Sequence, residues 1–294
     1  MDRVSQANEQ LGLVRALYPG LAERYDRAAA AHTGEHAGAE FDAWLDREAG
    51  VRHAGAAFGA IADPEVSRRF EGAFRAARGV AALIGVAVPE PEAFAAAGLD
   101  LTRLGALLAE HPEVQPVPTP YGLGADGWRQ AFARAAAAHP EVLGGEPSAS
   151  PLVLASEAER GFAALDRIPD SAGSIPRVTQ QAGGVGGTPT ATSGQALRWT
   201  LRLVPAASAP AVLGLGFAHG PHASLPEMLM LQLMRISSGE EPVDTGTFTW
   251  LAGSVEDGRL AARHVYDAGE RVIRITCREV GNQGPHLGAR PPLA

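Results

Sequence analysis

The order of apolar and polar positions changes character part-way along the chain. Up to residue 168 the apolar residues recur at helical spacing between Gly and Pro breaks. Between 40 and 49, Phe41, Trp44 and Leu45 share one face. Asp63-Pro64 opens a segment with Val66, Phe70 and Phe74 on one stripe. Proline suits a first helical turn, because its missing N–H would be unpaired there. Asp100 is placed to cap a helix whose Leu101, Leu104, Leu107 and Leu108 line one side, and His111-Pro112 ends it. Asp126 precedes Trp128, Phe132 and an alanine run that closes at His139-Pro140. Ser156 and Glu159 have capping-box spacing ahead of Phe162 and Leu165. Small alanine faces let helices approach closely, so residues 1–168 read as a helical bundle.

Residues 169–194 carry Ser, Thr, Gly, Pro and Gln with almost no apolar payload, including the run Gly183-Gly184-Val185-Gly186-Gly187. Such a stretch cannot offset its own ordering entropy and reads as a flexible linker spanning roughly 25–30 Å. After it the period becomes two. Leu197, Trp199, Leu201 and Leu203 alternate with Arg198, Thr200 and Arg202, and Phe248 and Trp250 alternate with Thr247 and Thr249. Residues 259–266 and 271–279 predict two more strands around the turn Asp267-Ala268-Gly269-Glu270. In the last strand Ile273, Ile275 and Cys277 share one face, and Arg274, Thr276 and Arg278 the other. One helix interrupts this region, opening at Ser224-Leu225-Pro226-Glu227 with capping-box spacing. It holds Met228, Met230 and Met234, and its apolar residues surround most of the circumference, so it must be buried on more than one side. The expected fold class is α+β: a helical N-terminal bundle (1–168), the linker, and a smaller C-terminal domain (195–294) in which an antiparallel sheet packs on one helix.

Composition then removes several chemistries. All 25 basic residues among 294 are Arg, and there is no Lys. That excludes a Schiff-base lysine, a pyridoxal-phosphate anchor and a P-loop lysine. GC-rich codon usage accounts for an Ala-, Gly-, Arg- and Pro-rich chain without Lys. The net charge of −8 argues against a nucleic-acid partner. Residues 1–168 hold 15 Arg against 23 acids and residues 195–294 hold 9 against 9, so the negative charge belongs to the helical half. That half reads as a solvated helical surface or, alternatively, as a contact face for a basic protein partner. A single cysteine, Cys277, cannot form an intramolecular disulfide. The polar start and the short apolar runs give no secretory signal and no span, so a cytoplasmic protein without membrane attachment is expected.

Candidate chemistry is scattered. His32-Thr33-Gly34-Glu35-His36 has the His-x-x-Glu-His spacing of inverted zinc peptidases, which puts His32 and His36 on one helix face, although Thr33 and Gly34 weaken that helix. His219-Gly220-Pro221-His222 is a second pair; with Glu227, His264, Cys277 or His286 it could complete a metal or catalytic set, while the Gly-Pro between its histidines reads as a turn. Cys277, on an inward strand face, is also read as a plain core thiol. Arg198, Arg202, Arg274 and Arg278 form an anion-binding ladder if their strands are neighbours; otherwise they pair with acids. The methionines 228, 230 and 234 are candidates for a partner groove. No cofactor is predicted.

One further pattern lies at the C-terminal end. Phe248 to Ser254, then Asp257-Gly258-Arg259, then Cys277, Gly281-Asn282, His286 and Leu287-Gly288 resemble the close of an actinobacterial family known as domain of unknown function 5701. The similarity covers about 40 residues. It departs from that pattern where Arg278 follows Cys277 and where Gln283 and Gly284 intervene between Asn282 and Pro285. The resemblance implies an actinobacterial origin and assigns no reaction. The leading functional reading is a non-enzymatic interaction or adaptor protein. The alternatives are a metal-dependent or hydrolytic enzyme using the His219/His222 loop and a binder of small anions on the Arg face.

Overall fold

A computed structural model describes residues 58, 61, 63–144, 150–169, 175–180 and 196–294. They belong to one compact unit running from His53 to Ala294. Its longest helix, α1 (Pro64–Ile84), starts where Asp63 accepts from the Glu65 and Val66 amides and ends at Gly85 in the left-handed conformation. Val66, Phe70, Phe74, Ala77 and Val80 form its buried face. The short α2 (Pro91–Ala96) follows, then α3 (Leu101–Glu110), capped by Asp100 as expected.

The chain next forms β1 (Val114–Tyr121), a strand inside the half that reads as helical. After β1 come α4 (Gly124–Ala138), β2 (Leu152–Leu154), α5 (Ser156–Arg160), α6 (Phe162–Leu165) and β3 (Val178–Gln180). Ser156 is the first helical residue of α5 and not its cap, and the helix breaks at Gly161. A Cβ at Gly161 would collide with Val255, so at this break the backbone lies directly against the Val255 side chain. The remaining elements are β4 (Leu197–Pro205), β5 (Val212–Leu213), α7 (Leu225–Ser237), β6 (Phe248–Val255), β7 (Leu260–Asp267), β8 (Val272–Glu279) and β9 (Leu287–Ala289).

The strands form two sheets, ordered β1-β4-β3 and β2-β8-β7-β6-β9-β5. The second is mixed, because β2 runs parallel to β8 and β9 parallel to β6. The expected helical bundle followed by a small antiparallel sheet on one helix is therefore overturned, within a fold that stays α+β. Seven described helices are interleaved with the strands, and the six-stranded sheet is large. The physical reason lies in pairing at long range. Val114 to Tyr121 pairs along its whole length with β4, and Leu152 to Leu154 with β8, so strands from either side of 169–194 complete each other's sheets. Val178 to Gln180, inside the stretch read as linker, adds a third strand beside β4.

Three prolines in Val114-Gln115-Pro116-Val117-Pro118-Thr119-Pro120-Tyr121 hide β1 from a sequence reading. The structure shows why they are tolerated. Leu203 exchanges backbone hydrogen bonds with Leu293, on the side of β4 away from β1. Its partner Pro116 therefore sits at a position whose backbone points off the sheet, and Pro118 and Pro120 follow at the same parity. All three lack an N–H only where none is needed, on the free edge of an edge strand.

α7 lies at the centre. Its capping box forms as expected, with Ser224 and Glu227 exchanging bonds. It packs on α1, β1 and α4, and nearly every side chain except Arg235 is buried. Among the described residues no helix is long and apolar enough to cross a membrane.

Candidate functional site

The buried ion pairs fall into two networks, both built around α7. In the first, Arg202 of β4 donates Nε (2.6 Å) and Nη2 (2.5 Å) to the two carboxylate oxygens of Glu227. Glu227 also accepts from the Ser224 amide and hydroxyl, and the Tyr121 hydroxyl lies 2.8 Å from that of Ser224. Burial pushes the Tyr121 phenol far up, and the Glu227 charge adds to this, so it stays protonated. In the second network Arg290 holds Asp244 Oδ1, and His264 Nδ1 lies 2.7 Å from Asp244 Oδ2. Burial works to raise the Asp244 pKa, but the His264 hydrogen bond and the Arg290 charge hold the carboxyl below its usual range. Gln232 of α7 bonds both ways with the Val243 backbone, and its amide nitrogen reaches His264 Nε2 at 3.2 Å. Because that amide nitrogen can only donate, His264 Nε2 accepts. Asp244, His264 and Arg290 are fully buried. These sets fasten helix to sheets and present no reacting atom to solvent.

Of the described histidines selected from the sequence, only His264 joins them, in the second network; His219, His222 and His286 do not. His222 Nε2 donates to the Phe217 carbonyl (2.6 Å), and its ring stacks on Phe217 with centroids 4.9 Å apart. Phe217 in turn meets Trp250 edge-on, and the Trp250 indole N–H donates to Leu215 O. The His222 loop is thus fixed to the face of β6 that carries Trp250. His264 pairs across from Thr249 and so belongs to the opposite face. His219 and His286 are exposed. Burial lowers the His222 pKa, a shift that its bond to Phe217 O only partly opposes, and His222 Nδ1 is buried without a partner. Cys277, on the face of β8 opposite Arg274 and Arg278, has its thiol pushed up to about 11, first by burial and then by Glu157 and Glu256. A thiol raised in this way stays protonated near neutral pH. The proposed set of His219, His222, Cys277 and His286 is not assembled. Among the described residues no three His, Cys, Asp or Glu side chains are placed to hold a metal ion. His32 and His36 lie outside the described residues.

The arginine ladder is also corrected. Arg198 and Arg202 stand on β4 of one sheet, and Arg274 and Arg278 on β8 of the other. Arg202 is consumed by Glu227, and Arg274 by Asp267 and Glu270. Met228, Met230 and Met234 are fully buried, so they fill the core and form no partner groove.

What the sequence reading missed is a cleft of about 860 Å³ between α1, the start of β1 and the end of α7. Arg69 and Arg75 come from α1, and Arg235 from α7. Arg69 is braced by three carbonyls, donating Nη1 to Leu108 O (2.7 Å) and Nη2 to Pro112 O and Val114 O. Arg235 is braced by Glu241 O and Ala206 O and pairs with Glu240 at 2.9 Å. The other acid of the lining, Glu113, lies 3.2 Å from His111 Nδ1. Arg75 is exposed and has no ion-pair partner among the described residues. Gly72 and Gly79, two helical turns apart on α1, complete this wall, and a Cβ at either would touch nothing within 4 Å. Each glycine costs about 0.5–1 kcal/mol of helix stability against alanine, with no packing reason in return. The seven-residue spacing of Gly72 and Gly79 in an alanine-rich helix was the available signal.

No protein-family model matches the chain, and neither a curated protein nor a solved structure matches it. The likeness to domain of unknown function 5701 therefore rests on the C-terminal residues alone.

Proposed function

We propose that the chain is a non-enzymatic binding protein whose contact site is the cleft between α1, β1 and α7. The observation that carries this reading is the cleft's construction. Its walls are rigid elements, and two of its three arginines are held in place by backbone carbonyls before any ligand arrives. Such preorganisation favours binding, since little side-chain freedom is left to lose. The volume lies within the range of small-molecule sites, about 300–1,000 Å³. The lining residues supply charge, hydroxyl and amide groups; the two carboxylates among them, Glu113 and Glu240, lie beside His111 and Arg235, and neither is hydrogen-bonded to the Ser237 or Ser238 hydroxyl among the described residues.

Elemental analysis and a thermal-shift panel on the full chain test this reading against the metal-dependent alternative. Stabilisation by at least one small polar ligand, unaffected by chelator, is the expected result. Stoichiometric zinc or iron that is lost in His222→Ala would overturn it.

A further inference from the structure

Resting on the binding reading, the geometry points to a ligand class: we infer that the cleft takes a small organic anion, a carboxylate or a phosphate ester. The charges decide the sign. Both acids of the lining are already engaged, Glu240 by Arg235 and Glu113 beside His111. Arg75 makes no ion pair among the described residues. The bracing of the other two arginines leaves N–H groups unspent: Arg69 Nε and Arg235 Nη2 make no hydrogen bond among the described residues. Arg235 already carries Glu240, but Arg69 is fixed by carbonyls through both terminal nitrogens and pairs with no acid among the described residues, the arrangement that receives a carboxylate or phosphate. A molecule with a charge of −8 overall thus carries a local cationic site.

Two features set the size of the ligand. Gly72 and Gly79 leave the α1 backbone bare where alanine would fit, and a bare backbone admits a ligand at closer range than a side chain allows. A peptide added as a strand is disfavoured, because Pro116, Pro118 and Pro120 present no N–H on the free edge of β1. The hydroxyls of Ser237 and Ser238 and the Gln115 amide supply the neutral hydrogen bonds a polar small molecule needs.

The test is a thermal-shift titration of the full chain with inorganic phosphate, succinate and citrate. Sodium chloride at matched ionic strength and glycerol serve as references. Arg75→Gln removes an exposed charge, and the Gly72→Leu/Gly79→Leu pair fills the cleft with good helix formers, so both variants fold. Saturable stabilisation by at least one anion is expected, with its midpoint moved at least about tenfold in each variant. No stabilisation beyond chloride, or the same response in both variants, would overturn the inference; the second result would mark a general salt effect. Saturable stabilisation by glycerol, lost in the glycine variant while the anions do nothing, would overturn the anion class and leave the binding reading intact.

Discussion

His222 shows how a residue chosen for chemistry can be explained by packing. Its ring is the inner leaf of a stack with Phe217, its Nε2 is committed to the backbone, and Nδ1 has no partner. Burial favours the neutral ring, so the folded-state pKa lies below the unfolded value of about 6.5. The unfolded chain then binds the proton more readily. Stability from this group is complete above about pH 6.5 and is lost as pH falls from there toward the folded value. Denaturant unfolding at pH 7.5 and pH 5.5 should show the native protein weaker at the lower pH. His222→Phe should remove that part of the difference; an unchanged pH dependence would refute the assignment. The same residue shows the limit of sequence reading at this scale. The pair His219/His222 is visible in the letters, but which nitrogen is free depends on Phe217 and Trp250, and no spacing rule brings those together.

At the scale of elements, legibility followed the range of the interaction. The capping box of α7 and the Asp267 turn between β7 and β8 are local, and both form as the residues predict. β1 was hidden because its prolines satisfy a condition set by β4, some 80 residues later. The buried pair Arg202–Glu227 belongs to the same class: the sequence offers Glu227 as a cap and as a partner for the His219/His222 loop, and its pairing with Arg202 needs β4 beside α7. Breaking that pair leaves a guanidinium buried and unpaired, so Glu227→Ala should cost about 3–5 kcal/mol in urea unfolding. Adding Arg202→Met to Glu227→Leu should recover much of the loss, since two apolar groups need no partners. A Glu227→Ala variant within about 0.5 kcal/mol of the native protein would contradict the role given to this pair. The cleft was only faintly legible for the same reason. Gly72 and Gly79 share a helix face in the sequence, but Arg235 reaches that face only because α7 packs on α1.

At the scale of the molecule, the split into an acidic helical half and a neutral β half describes composition and not architecture. β1 and β2 lie before residue 168 and pair with β4 and β8, which lie after 195. Residues 195–294 alone would expose both sheet edges and the faces of α7 that α1 and α4 cover. Such a fragment should melt without a cooperative transition, while residues 53–294 should melt in one step. Cooperative melting of the fragment would show that it is an independent domain.

The proposed meeting place of this protein and an anionic ligand is the cleft between α1, β1 and α7. Backbone NMR of the isotopically labelled full chain, titrated with inorganic phosphate, succinate and citrate against matched chloride, tests it most directly. Saturable shifts, for at least one anion, are expected to centre on the amides of Gly72, Gly79, Gln115 and Ser238. Shifts centred instead on residues 215–222 and His286, or none beyond those of chloride, would contradict it.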